Sequence, residues 1–177
     1  VVATNEGYVK RVSTKSYSAS EGDPTMVKED DYVTHLFEQN TLDTLLLFTD
    51  QGNYLHIPVH ELPDIKWKEL GKHVSNIISM SSDEKVIGCM PVYNFDDDRY
   101  ITIFTKNGMV KKSNIEEYNY SGRQGSKMLK LKEGDTVVAC GVFTSDNDSI
   151  SYNGKGTVLS AVSVTGKAAM GSKLFKE

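Results

Sequence analysis

The chain has 177 residues, 38% hydrophobic and 25% charged, with a formal net charge of -4. Its apolar residues fall in short runs, which excludes a disordered tail and leaves no stretch of about 20 apolar residues to span a bilayer as a helix. Net negative charge excludes a protein that coats nucleic acid by bulk attraction, but the charge is segregated. Residues 20–50 hold eight acids against Lys28 alone, whereas in residues 101–132 seven basic side chains oppose only Glu116 and Glu117.

In chain order, Val1-Val2-Ala3-Thr4-Asn5 enters directly on a strand-like run, with no initiator Met and no basic leader, and reads as interior sequence of a longer cytoplasmic protein. Thr4-Asn5-Glu6-Gly7-Tyr8-Val9-Lys10-Arg11 then has the form strand, turn, strand, because glycine accepts the positive φ of a tight hairpin. Leu45 to Ile57 repeats the pattern around Gly52. Ile101 to Ser113 repeats it without a gap around Gly108, and Ile150 to Leu159 is a weaker fourth copy with its turn glycine placed at Gly156. Between the second and third copies, Ile65-Lys66-Trp67-Lys68-Glu69-Leu70 is the best helical candidate, ended by Gly71, and Trp67 is expected at an interface between units.

A second motif recurs out of phase with the hairpins. Glu29 to His35, Asp83 to Cys89 and Gly134 to Cys140 align, with His35, Cys89 and Cys140 as equivalent core positions. This makes the two cysteines small apolar residues of repeated strands in a reducing compartment, with no disulfide expected. The fold class is therefore all-β, a propeller-like or pinwheel array of four-stranded antiparallel blades. It forms one domain over residues 1–177, whose blades begin and end mid-unit.

No catalytic constellation is legible: there is no Gly-x-Ser-x-Gly elbow, and the histidines lack ligand spacing with the cysteines. The acidic runs Glu29-Asp30-Asp31 and Asp96-Asp97-Asp98 read as solvated turns, not cation sites. Neither a cofactor nor a metal is expected.

The four hairpins in order resemble the C-terminal β-pinwheel domains of the A subunits of bacterial type II topoisomerases, DNA gyrase and topoisomerase IV. Val1 to Arg11 with Tyr17 is similar to that family's first blade, and Tyr54 to Pro63 to its second. Gyrase A subunits carry a basic Gln-Arg-Arg-Gly-Gly-Arg-Gly box after the first hairpin. Here Ser18-Ala19-Ser20-Glu21-Gly22-Asp23-Pro24 stands instead, and only Ser121-Gly122-Arg123-Gln124-Gly125-Ser126-Lys127 in the third copy is similar to a degenerate box. That departure places the chain nearer topoisomerase IV, with a gyrase domain whose box diverged as the alternative. The family's five or six blades exceed the four hairpins, so the chain is expected to be part of a larger ring.

The resemblance implies a non-catalytic domain that binds and bends double-stranded DNA. Its other partners would be the rest of the A chain of the enzyme and an ATP-hydrolysing B chain, with no membrane partner. Decatenation or relaxation by ATP-dependent strand passage would be performed elsewhere in the holoenzyme. Lysine and arginine heads along a convex rim would meet phosphates rather than base edges. The expected contacts are Lys10, Arg11 and Lys15 in the first copy, Lys66, Lys68 and Lys72 in the second, and Lys111, Lys112, Arg123, Lys127 and Lys130 in the third. The acidic loops would repel DNA from part of that rim. A protein-interaction scaffold that binds no DNA is the reading from a different class.

Overall fold

The computed structural model describes residues 1–96, 98–120, 122–143, 149–152 and 155–174. Three hairpins form its frame: β1 (Val2–Thr4) with β2 (Tyr8–Lys10), β4 (Thr44–Thr49) with β5 (Asn53–Pro58), and β8 (Tyr100–Thr105) with β9 (Met109–Asn114). One chemistry builds all three turns. The glycine N–H donates to the carbonyl three residues earlier, in Thr4, Thr49 and Thr105, and the hydroxyl of the same threonine accepts from the N–H after the glycine. Gly7, Gly52 and Gly108 sit at φ of +88°, +79° and +78°, where a side chain would be strained. Gly156 is a correction: it lies inside β13 (Lys155–Val158), opposite Ser151 of β12 (Ser149–Tyr152). Tyr152 pairs with Lys155, so Gly156 is a strand residue and not the turn glycine.

Each hairpin gains a strand on both sides. β3 (Val33–Leu36), β7 (Val86–Val92) and β11 (Val137–Phe143) pair with the first strand of each hairpin. The second strand is met by β6 (Lys72–His73), β10 (Ser126–Lys127) and β14 (Ser172–Lys173). The sheets are thus β3-β1-β2-β6, β7-β4-β5-β10 and β11-β8-β9-β14. The fourth strand always comes from the next repeat, after that repeat's own hairpin, so consecutive blades exchange a strand and every blade spans two sequence copies.

Burial follows from this stacking. Leu46 and Phe48 face a core shared with Ile101, Ile103, Ile115 and Tyr118, while Leu45 and Leu47 face a second core with Val9, Ile57 and Val74. A strand sandwiched between two blades must be apolar on both faces, and β4 is buried at all six positions.

Three expectations change. The register of β3 is one residue off: Ala3 pairs with His35 beside a bulge, whereas Phe48 pairs with Gly88 and Phe104 with Ala139. Leu36, not His35, is therefore the counterpart of Cys89 and Cys140. Both thiols are free, and burial pushes that of Cys89 up to about 12. The acids are not all solvated either. Buried Asp31 accepts from the Glu6 and Tyr32 N–H groups, buried Asp135 from those of Asn107 and Thr136, and Glu84 from the Thr49 hydroxyl and the Asn53 amide. Each ties an incoming strand to a hairpin turn. Among the described residues the α-helix is α1 (Thr14–Ser18), with a Ser13 cap, and residues 65–70 form a loop.

Candidate nucleic-acid interface

The two edges of the sheets are unlike. β3, β7 and β11 converge on an open cleft of about 800 Å³ lined by Thr34, Val86, Gly88, Cys89 and Val138, which extends between the first two sheets to His73. The other edge is formed by the exchanged strands, and a group of exposed basic residues lies along it, although Lys85, at the cleft, is exposed too. Lys72 lies on β6 and Lys127 on β10; Lys66 and Lys68 lie in the loop before β6, Arg123 in the loop before β10, and Lys130 just after it. All six are exposed, as is Lys15 on α1.

The exchanged strands enter with a glycine, for a steric reason. A Cβ on Gly71 would come within 2.9 Å of the Val9 carbonyl oxygen, and one on Gly171 within 2.9 Å of that of Val110. Beyond those glycines the strands are in common register, with His73, Lys127 and Lys173 opposite Tyr8, Asn53 and Met109, the residues after each turn glycine. Lys173 was missed in the sequence reading, which stopped at the third copy. The repeated triads Gly125-Ser126-Lys127 and Gly171-Ser172-Lys173 were the signal that could have found it.

Other expected contacts are not on the surface. Lys10 is 2% exposed, and its Nζ donates to Thr25 Oγ1 at 2.6 Å and to the carbonyls of Lys66, Trp67 and Glu69 at 3.2, 2.9 and 2.6 Å. Such a cage consumes the ammonium internally. Lys111 and Lys112 are 1% and 3% exposed; Lys111 Nζ donates to Ser113 Oγ at 2.5 Å and Lys112 Nζ to the Leu159 carbonyl at 3.2 Å. These three lysines are corrections: they sit on hairpin strands covered by the neighbouring blade, and a buried head cannot reach a phosphate. Arg11 is half-buried, donating from Nε to the Leu62 carbonyl and pairing with Asp64 at 3.5 Å.

Burial also sets the titration of these groups. Desolvation lowers the Lys10 ammonium below its ordinary range, partly opposed by Glu69. It drives Lys111 further, to about 8, where attraction to Glu117 is offset by repulsion from Lys167. Lys167 itself lies against the Tyr54 and Tyr120 rings, 5.0 and 5.7 Å from their centres, and donates to the Tyr54 hydroxyl at 2.8 Å.

Trp67 is buried where the loop before β6 packs on the 13–25 segment of the first repeat, rather than at the interface between blades that the sequence suggested. Its ring meets Tyr17 edge-on at 4.9 Å, and its Nε1 donates to the Asp23 carbonyl at 2.6 Å. Lys68, next along, forms an ion pair with the Asp23 carboxylate at 2.7 Å. The Asp97 and Ser121 positions lie outside the described residues.

Comparison with known proteins places this geometry. The family described as DNA gyrase C-terminal domain, beta-propeller, matches residues 1–20, 43–92 and 99–144. The DNA topoisomerase 4 A subunit of Bacillus subtilis is 44% identical over 141 residues, 78% of this chain and 17% of that protein. Its namesake from Staphylococcus aureus (strain MRSA252) is 39% identical over 176 residues, 96% of this chain and 22% of its own length. The chain thus spans about a fifth of the length of these relatives. Among solved structures, the C-terminal domain of DNA topoisomerase IV superposes with a TM-score of 0.90 at 41% identity, covering 98% of this chain and 55% of that one. A DNA gyrase A C-terminal domain, at 0.66 and 19% over 98% and 58% of the two chains, shares the fold.

Proposed function

The chain belongs to the DNA gyrase C-terminal domain family of β-propellers, and on that premise we propose that it binds duplex DNA along the edge of its exchanged strands and bends it over successive blades. The observation that carries the reading is positional. Successive repeats place exposed basic side chains at the same edge, Lys66, Lys68 and Lys72 followed by Arg123, Lys127 and Lys130 and then Lys173, while the opposite edges converge on the cleft. A row of cations at blade intervals suits a phosphate backbone, and it offers no planar constellation aimed at base edges, so binding independent of sequence is expected. Within a type II topoisomerase the domain would present a DNA segment for ATP-dependent strand passage, carried out by the remainder of the A chain together with the B chain. The absence of the basic box supports a topoisomerase IV-like role over a gyrase-like one.

The test is a salt titration of binding to a mixed-sequence duplex of about 40 base pairs, with an R123A/K127A/K130A variant alongside. If about five phosphates are neutralised, log K falls against log salt with a slope near -4.5, and the variant loses about three units of it. Binding that ignores salt, or a variant equal to the parent, would overturn the proposal in favour of a scaffold.

A further inference from the structure

The first repeat carries a negatively charged loop against a loop of the second repeat that bears Lys66 and Lys68, and the contact between them is specific. Lys68 Nζ stands 2.7 Å from Asp23 Oδ2, and both side chains are well exposed, at 65% and 59%. Around that pair the two loops are fastened by groups that do not involve the Asp23 carboxylate. Trp67 Nε1 donates to the Asp23 main-chain carbonyl, the Trp67 N–H to Ser16 Oγ, the Thr25 hydroxyl to the Trp67 carbonyl, and Lys10 ties Thr25 to three carbonyls of the 66–69 loop. The main chain and buried side chains hold the loop in place, so the carboxylate is not needed for architecture.

The geometry points to Asp23 as an intramolecular stand-in for a DNA phosphate, a specificity-determining residue that withholds Lys68 from the rim. This rests on the DNA-binding reading above. An exposed ammonium–carboxylate pair is weak enough for a phosphate to displace, and for that reason it tunes affinity instead of abolishing it. The pair sits beside β6, where the second repeat completes the first blade. DNA therefore meets a charge penalty at the edge of the first blade, beside β6, whereas the edge of the second blade, where Arg123, Lys127 and Lys130 flank β10 and are likewise exposed, engages first.

The experiment uses the 177-residue chain and the same 40-base-pair duplex. D23N binds about threefold more tightly at low salt, and its log–log salt slope steepens by about one unit, as one further phosphate contact requires. In the K68A background the D23N gain vanishes. D30N makes the same charge change at another exposed position and leaves the slope unaltered. Emission from Trp67, the single tryptophan, stays at the parent wavelength in D23N, because the main-chain carbonyl that holds it is untouched. A gain that persists without Lys68, an equal gain in D30N, or an unchanged affinity in D23N would overturn the latch while leaving DNA binding intact. No binding by parent and variant alike would overturn the DNA-binding reading itself, and the latch with it.

Discussion

Lys10 and Lys111 stand three residues past the turn glycines of two blades, and each is almost wholly buried, yet the neighbouring loops treat them differently. Four oxygens surround the ammonium of Lys10, and Trp67 lies 5.9 Å from it, four residues before Gly71. Four residues before Gly171 the chain has Lys167, a second cation, and the carbonyl of Ala169, counterpart of Glu69, is taken by the Lys130 N–H. Lys111 keeps one hydrogen bond among the described residues, to Ser113. In the second blade the same position is Leu55, fully buried in an apolar core. One backbone site therefore holds a caged cation, a hydrocarbon and a poorly compensated cation, and what decides its chemistry is the loop that the next repeat lays over it.

The most severe way to break the comparison is to place a lysine where no loop provides oxygens. L55K would bury an unpaired ammonium, and chemical denaturation should show a loss of about 4 kcal/mol. K10M, which keeps the stem and removes the head, takes a charged donor from Thr25 and three carbonyls, of which those of Lys66 and Trp67 keep the Glu69 N–H and the Thr25 hydroxyl, and should cost about 3 kcal/mol in the same assay. A smaller change comes from pH. The folded chain releases the Lys111 proton near pH 8, whereas the unfolded chain holds its own to about 10.5. The unfolded state thus binds more protons between those values, so stability rises with pH across that window. The parent should gain about 2 kcal/mol relative to K111M between pH 7 and pH 10, and a flat difference would remove the strain argument. The smallest effect is K111M itself at pH 7, a gain of about 1 kcal/mol, the relief of a desolvated charge less the lost Ser113 bond. Opposite signs for K10M and K111M are the signature to look for.

Much of the fold was legible because turn chemistry is local. A threonine, two polar residues and a glycine specify each of the three hairpins through contacts within five residues, which is why the pattern stands out in the chain. The fourth turn was placed at Gly156, a residue that strand pairing puts inside β13 opposite Ser151. The site was less legible. Exposed Lys66, Lys68, Lys72, Arg123, Lys127 and Lys130 were chosen alongside buried Lys10, Lys111 and Lys112, since a lysine in a hairpin strand reads the same whichever face is covered. The missed Lys173 belonged to a repeat whose hairpin was faint but whose exchanged strand was plain.

The sequence by itself determined the repeat, the continuous apolar run that makes β4 apolar on both faces, and the division of charge between the first and third copies, all properties of residues close together in the chain. Only the tertiary structure decided that the last strand of each repeat completes the preceding blade. That exchange brings Thr25 and the loop at 66–69 around Lys10, sets Asp23 against Lys68 and carries Lys72, Lys127 and Lys173 to a common edge. The reason is physical: the oxygens that satisfy a buried ammonium and the blade that covers a strand lie tens of residues away, where no local pattern can register them.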